Sequence, residues 1–424
     1  MIYNIVIYFV LWGIAIASLF NEKVRKMWRG EREAFKILKQ KVDPTAKYIW
    51  FHAASLGEFE QGRPLMERIR KEYPQYKILL TFYSPSGYEV RKNYEGADII
   101  CYMPVDTRLN AIRFLRLVRP VMAFFIKYEF WSNFLHILKH RNIPTYSVSS
   151  IFREDQVFFK WYGRSYAGVL KCFTRFFVQN EESKRLLESI GITDVDVVGD
   201  TRFDRVLQIK QAAKHLPICE AFRSGVAGSD SAASSEKASH PDYKVFVAGS
   251  SWPPDEEIFI RFFNEHKDWR LQIAPHVIAE EHLKLILSLL KNKKVVRYTQ
   301  TTPEEAAKAD VLIIDCFGLL SSMYNYGDVA YIGGGFGVGI HNTLEAAVWN
   351  MPVIFGPNNK KFQEAQGLLK SDGGFEINTY EDFDGLMSSM MNDEAFLKQA
   401  GDKAGAFVAH LAGATDKVLA SVKL

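Results

Sequence analysis

The chain has 424 residues, of which 48% are hydrophobic and 24% charged, enough for two domains with substantial cores. Its formal net charge of +4 is too small to argue for nucleic acid, and no aromatic and basic module of the RNA-binding kind is present, so no nucleic-acid partner is expected. Cys101, Cys172, Cys219 and Cys316 lie far apart without metal-ligand spacing, which fits a reducing compartment and predicts neither zinc nor disulfides.

Residues 2–20 are almost wholly apolar, with Asn4 and Ser18 as the clearly polar side chains, and are just long enough to cross a bilayer. Lys23, Arg25, Lys26, Arg29 and Arg32 follow at once. A cleaved signal would carry positive charge ahead of the apolar run; none precedes it here, and Ala15-Ile16-Ala17 resembles a cleavage site only weakly. The positive-inside rule therefore puts the rest of the chain in the cytoplasm, with residues 1–22 as a single anchor in or across the membrane. The basic flank would be drawn to anionic headgroups.

From residue 48 onward, β-rich runs alternate with amphipathic helices, the pattern of a parallel sheet with crossover helices. The runs at 48–52 and 77–82 are followed by Ala53-Ala54-Ser55-Leu56-Gly57-Glu58 and Ser84-Pro85-Ser86-Gly87. Later runs end at Asp106, at Lys127-Tyr128-Glu129 and at Ser149-Ser150, and 173–180 and 195–199 complete this half. Strand carboxyl ends share one rim, so these polar residues would line one crevice, with Glu58 and Glu129 open to the same ligand. The predicted divisions are 23–215 for an N-terminal Rossmann-like domain, 216–243 for a flexible linker or loop and 244–424 for a C-terminal Rossmann-like domain. Within the linker, 223–240 is Ser- and Ala-rich without apolar periodicity.

The second half opens with a strand at 244–248 ending in Gly249-Ser250-Ser251, then Pro253 and Pro254 ahead of an acidic first helical turn at Asp255 and Glu256. Runs at 270–274 and 311–314 end in Pro275-His276 and Asp315-Cys316-Phe317-Gly318. The stretch 329–357 reads strand, glycine loop, helix, strand: Val329 to Ile332, then Gly333, Gly334, Gly335, Gly337 and Gly339, then a helix capped by Asn342, then a buried strand ending at Phe355. Such a loop feeding a helix N-terminus is a means of holding phosphate, or else a tight turn without a ligand. Glu345, three residues after Asn342, either contacts a ligand or completes a capping box. Two doubly wound domains in series suggest a ligand cleft between them.

Glu58 follows a serine and a glycine where a strand gives way to a helix. A carboxylate there, partly desolvated in a closed cleft, can take a proton from an acceptor hydroxyl, a role worth roughly 10²–10⁴ in rate; otherwise it stabilises its own helix dipole. Lys127 and Glu129, beside Phe130 and Trp131, read either as substrate contacts or as a local ion pair. Arg202 and Asp204 touch an anion or solvate a loop, and His276 and His341 contact phosphate or only the backbone. Asp194-Val195-Asp196 precedes a strand without supporting ligands and is not read as a metal site.

Ala54-Ser55-Leu56-Gly57-Glu58, Gly333-Gly334-Gly335 with His341-Asn342-Thr343-Leu344-Glu345, and Pro352-Val353-Ile354-Phe355-Gly356-Pro357, in this order behind an apolar N-terminus, resemble the 3-deoxy-D-manno-octulosonic acid (Kdo) transferases. These are membrane-associated glycosyltransferases of the two-domain GT-B fold. The resemblance implies transfer of Kdo from CMP-Kdo to a lipid A precursor, in lipopolysaccharide biosynthesis, at the cytoplasmic face of a Gram-negative inner membrane. It implies Glu58 as general base on the acceptor hydroxyl with inversion at the anomeric carbon. Asn342 and Glu345 would hold the CMP ribose and phosphate region, with Gly249, Ser250, Ser251, Pro275, His276, Gly334, Gly335, His341 and Thr343 around the donor. Ser55, Gly57, Lys127, Glu129 and Arg202 would face the acceptor or cleft. Helix N-termini after Gly249 and Gly339 would stabilise the departing phosphate, and no cofactor or metal is expected. The family often has glutamate where Lys127 and Leu319 stand, and arginine beside the proline in Ala274-Pro275-His276-Val277. The alternatives are a nucleotide-sugar epimerase on the same fold, against which the apolar N-terminus argues, and another GT-B transferase using a different nucleotide sugar.

Overall fold

The computed structural model describes residues 2–226 and 243–424. Among them the chain forms two compact units, Met1–Arg205 with Ala412–Leu424, and Val206–Leu411. Each is built on a seven-stranded parallel sheet.

In the first unit the strands are β1 Lys47–Ala53, β2 Tyr76–Phe82, β3 Ile99–Tyr102, β4 Met122–Ile126, β5 Thr145–Ser150, β6 Arg175–Val178 and β7 Val195–Val197, in the order β3-β2-β1-β4-β5-β6-β7. β1 pairs in register with β2 (Lys47 with Tyr76) on one side and β4 (Ile49 with Met122) on the other. Helices cover both faces, which is why these strands read as unbroken apolar runs rather than alternating ones. Successive residues of β1 serve opposite layers. Tyr48 and Trp50 enter a cluster with Phe114, Phe125, Phe134 and Phe176, while Ile49 and Phe51 join Phe59, Phe82, Phe124 and Tyr146.

Ala414, Val418 and Val422 belong to that second layer, so the last helix, Ala414–Ser421, is part of the first unit. Asp204 fixes it, accepting from the N–H groups of Gly413 and Thr415 at 2.5 and 2.7 Å and from the Thr415 hydroxyl at 2.6 Å. Asp204 thus has a structural partner where the sequence left a choice between an anion and solvent.

The second unit carries β8 Lys244–Ser251, β9 Trp269–Pro275, β10 Val295–Arg297, β11 Val311–Ile313, β12 Val329–Ile332, β13 Val353–Phe355 and β14 Gly374–Glu376, ordered β10-β11-β9-β8-β12-β13-β14. The edge strands β10 and β14 were not foreseen: three residues each, Val-Val-Arg and Gly-Phe-Glu, carry too little pattern to register.

Within the stretch expected to be a linker, Pro217–Ser224 is a helix with proline in its first turn and Gly225 at φ 71° closing it. Its Cys219, Ala221 and Phe222 are buried, and Arg270 Nη1 donates to the Phe222 carbonyl, so tertiary burial holds a helix that composition alone obscures. The rest of that stretch, 227–242, lies outside the described residues, and most of the predicted 223–240 loop with it. The division between units falls inside the helix Thr201–Gln211, ahead of the predicted 215/216.

The N-terminal helix is Ile2–Phe20, and Tyr3–Phe20 has a mean hydropathy of 1.9, long and apolar enough to cross a membrane. The basic helix Glu22–Lys41 follows, capped by Asn21, whose side chain accepts from the Val24 N–H.

Candidate active site

In each sheet the strand order reverses beside the first strand, where neighbouring strands send their connections to opposite sides and leave a crevice beyond their carboxyl ends; in the second sheet β11, lying between β10 and β9, adds a reversal near the edge. In the first unit that point is β1/β4, and in the second it is β8/β12. The motifs singled out in sequence lie at these two places.

At β1/β4, β1 runs into Ser55, which N-caps the helix Leu56–Glu72 without a side-chain bond to its backbone. Ser55 Oγ instead donates to Glu58 Oε2, holding the half-buried carboxylate over the first turn. Gly57 is exposed beside it.

Glu129, after β4, meets two ring nitrogens. Trp131 Nε1 donates to Glu129 Oε2 at 2.6 Å, and His52 Nε2 lies 3.1 Å from the same oxygen. His52 is fully buried; its Nδ1 is 2.9 Å from Thr81 Oγ1, which also accepts from Trp50 Nε1 at 2.8 Å. A chain of polar contacts thus runs from the core to the rim. Tyr83 covers it, its ring 5.0 Å from that of Trp131.

Lys127 occupies left-handed backbone at φ 63°, its N–H bonded to the Val148 carbonyl, and among the described residues Glu129 pairs with His52 rather than with Lys127. Arg202 Nε reaches Asp200 Oδ2 at 2.9 Å, and Gln61 Nε2 donates to Asp200 Oδ1 at 2.9 Å, so Arg202 is committed to a buried acid.

At β8/β12 the backbone is tightly packed. A Cβ on Gly333 would meet the Ser250 carbonyl oxygen at 2.3 Å, so only glycine lets the two strand ends approach. Gly334 turns left-handed at φ 93°, and its N–H donates to Asp255 Oδ2 at 2.8 Å, while the Tyr331 hydroxyl donates to Asp255 Oδ1 at 2.8 Å. Burial raises the Asp255 carboxyl above its ordinary range, and these bonds oppose the rise. Beside it Ser251 Oγ donates to Glu256 Oε1 at 2.7 Å, and His282 Nε2 lies 2.9 Å from Glu256 Oε2.

Gly249, Ser250, Leu320, Tyr324, Ile332, His341, Asn342 and Glu345 line a hollow of about 180 Å³. Asn342 Nδ2 donates to Glu345 Oε1 at 2.9 Å and its Oδ1 accepts from the Leu344 N–H at 3.1 Å. The helix here is short, Leu344–Ala347, and Asn350 beyond it is left-handed at φ 59°. Trp252, His276 and His341 form a stack, with ring separations of 4.7 and 4.4 Å. Burial first, and then the charge of His276, lowers the pKa of His341 and favours its neutral form.

Five sequence-chosen donor residues therefore share one hollow: Gly249, Ser250, His341, Asn342 and Glu345. His276 joins through the stack, following Pro275 at the end of β9. Ser251, Gly334 and Gly335 serve the scaffold, a Cβ on Gly335 meeting Gly356 Cα at 2.5 Å. Thr343 is buried with its hydroxyl unpartnered among the described residues. The helix Pro253–Glu265 begins with two prolines that lack N–H groups, and Asp255 Oδ2 accepts from the Trp252 N–H at 2.9 Å, so its first turn is closed by its own acid. His52, Trp252, Asp255, Glu256 and Tyr324 were not singled out as site residues. Only the acids at 255 and 256 gave any signal, as first-turn charges.

Residues 29–205 match the family model for 3-deoxy-D-manno-octulosonic-acid transferase (kdotransferase). The chain is 26% identical over 343 residues to the 3-deoxy-D-manno-octulosonic acid transferase of Rickettsia felis, covering 79% of this chain and 69% of that protein. It is 26% identical over 333 residues to the Aquifex aeolicus enzyme of the same name, covering 78% and 82%, and 24% identical over 396 residues to that of Haemophilus influenzae, covering 90% and 87%. Among solved structures it is similar to UDP-GlcNAc 2-epimerase from Neisseria meningitidis, with a TM-score of 0.57 and 14% identity, covering 88% of this chain and 98% of that one. MurG from Acinetobacter baumannii superposes with a TM-score of 0.52 at 11% identity, covering 88% and 98%. The structural likenesses concern the fold, which is of the GT-B type.

Proposed function

We propose that this chain, a glycosyltransferase that belongs to the Kdo transferase family, moves Kdo from CMP-Kdo to a lipid A precursor at the cytoplasmic face of a bacterial inner membrane. The observation that carries the donor half is the hollow at the β8/β12 switch point, where a ribose-sized space meets Asn342 and Glu345 and the backbone of Gly249 and Ser250. Glu345 accepts hydrogen bonds from ribose hydroxyls in this reading, Asn342 keeps Glu345 in place, and the Trp252, His276 and His341 stack offers a flat face with polar edges.

Glu58 is the base. Its carboxylate takes the proton of the acceptor hydroxyl as that oxygen bonds to the anomeric carbon of Kdo. The bond from that carbon to the phosphate oxygen breaks, CMP leaves with the electron pair, and the configuration inverts. Ser55 aims the carboxylate. Glu129, fixed by His52 and Trp131, binds an acceptor hydroxyl. Relatives named as transferases favour this reading over a nucleotide-sugar epimerase, and transfer is proposed to require no metal.

The test is mass spectrometry of a lipid A precursor incubated with the detergent-solubilised protein and freshly generated CMP-Kdo, with and without chelator. A mass gain of one or more Kdo units that survives chelation is expected. No gain while CMP still binds would move the assignment to another sugar or acceptor.

A further inference from the structure

Exposure along the N-terminal helix follows one stripe. Tyr3, Asn4, Ile7, Leu11, Ile14, Ala15 and Ser18 are shaded, with Ala17 at the edge of the same stripe next to the junction, whereas Ile5, Val6, Tyr8, Phe9, Val10, Trp12, Ile16, Leu19 and Phe20 are exposed. Steps of three and four residues place the shaded set on one helix face from end to end. A helix standing away from the body would be shaded only near its junction.

The far end is also tied down. The Tyr3 hydroxyl donates to Asp106 Oδ2 at 2.5 Å, Asn133 Nδ2 donates to Asn4 Oδ1 at 2.8 Å, and the Tyr3 ring stacks on Tyr166 at 6.4 Å. Asp106 is fully buried, and its oxygens also accept from the N–H groups of Asn133 and Phe134, which open the helix Ser132–His140. Asn4 and Ser18, the clearly polar side chains of this helix, both lie in the shaded stripe, as does Tyr3, while Tyr8 is on the exposed side.

Next to that end the first unit exposes Leu109 (73%), Trp161 (83%) and Tyr162 (61%). Leu109 lies one turn beyond Asp106, and Trp161 and Tyr162 precede the short helix Arg164–Ala167 that carries Tyr166. Exposed Lys23, Lys26, Arg29 and Arg32 flank the other end.

We propose that the N-terminal helix lies in the plane of the membrane, clasped lengthwise to the first unit, and that its outer face together with Leu109, Trp161 and Tyr162 forms one docking surface for an anionic bilayer. At 1.5 Å per residue the helix presents about 28 Å of apolar edge. Tryptophan and tyrosine favour the headgroup boundary, and the lysines and arginines meet anionic lipid. The start of the helix then stays on the same side of the bilayer as the catalytic units, which a spanning helix would forbid. This refines the membrane placement within the proposed function and does not depend on the transfer chemistry.

The test uses the full chain with a cysteine appended ahead of Met1 and Cys316→Ser, since Cys101, Cys172 and Cys219 are buried. The protein is added to preformed vesicles of phosphatidylethanolamine and phosphatidylglycerol, floated, and labelled with a membrane-impermeant maleimide before and after detergent. Equal labelling in both conditions is expected. Labelling that appears only after detergent overturns the in-plane helix while leaving the membrane reading intact, and failure to float overturns membrane association itself. A Leu109→Ser/Trp161→Ser variant with the helix intact is expected to lower vesicle partitioning about tenfold; unchanged partitioning excludes these residues from the surface.

Discussion

The buried imidazole of His52 and the carboxylate of Glu129 meet at 3.1 Å across the ends of β1 and β4, joining a core residue to the rim where the first sheet reverses its order. Replacing His52 with leucine leaves Glu129 with Trp131 alone and strips Thr81 of a partner. Turnover on a lipid acceptor is expected to fall on the order of tenfold to a hundredfold, the usual cost of a misplaced positioning group. Steady-state kinetics with varied acceptor checks it, with CMP affinity unchanged as the control.

Glu58→Gln keeps size and the contact with Ser55 while removing the base. The transfer rate is expected to drop by roughly 10²–10⁴ with little change in melting temperature. Ser55→Ala, which only releases the carboxylate, should cost much less. Retained activity in Glu58→Gln would remove Glu58 from the mechanism.

Gly334→Ala places a Cβ 2.3 Å from the Gly339 carbonyl oxygen at a φ of 93°, so the loop must rearrange. Asp255→Asn disturbs the same loop from beneath by weakening acceptors for the Gly334 N–H and the Tyr331 hydroxyl, at about 1–3 kcal/mol. Calorimetric titration with CMP is expected to show a loss of tenfold or more for the first and a smaller loss for the second.

Glu31 on the helix Glu22–Lys41 is 4% exposed with neither carboxylate oxygen partnered among the described residues, and burial lifts its pKa to about 8. The folded state therefore holds a proton that the unfolded chain releases above an ordinary value near 4.5. Stability from this group is fully present below that value and is lost as pH rises to about 8. Glu31→Gln is expected to melt with the parent protein at acid pH and to be more stable at pH about 8, by on the order of 4–5 kcal/mol, since the rise from 4.5 to about 8 counts about 1.4 kcal/mol for each pKa unit. Parallel melting curves across that range would show that Glu31 finds a partner.

The central strands of both sheets, the apolar N-terminal helix and the glycine loop were legible in the chain because each has a local physical cause. Strands buried on both faces must be apolar throughout, a bilayer-length helix must lack charge, and the approach of Gly333 to Ser250 excludes a side chain. Ser55, Glu58, Asn342 and Glu345 could be picked out because they sit at strand-to-helix turns, where side chains reach a rim. The helix Pro217–Ser224 and the edge strands β10 and β14 were not legible, since their order comes from neighbours remote in sequence.

By itself, then, the sequence determined the two parallel α/β sheets and which turns bear the chemistry, since hydrophobic period and turn residues are local properties. Only the tertiary structure decided the rest. Strand order, which no local pattern encodes, set Gly249 beside Gly333 and His52 beside Glu129. It also assigned Arg202 to Asp200, Asp204 to the last helix and Thr343 to the interior, because a polar side chain's role depends on partners that folding brings from far along the chain.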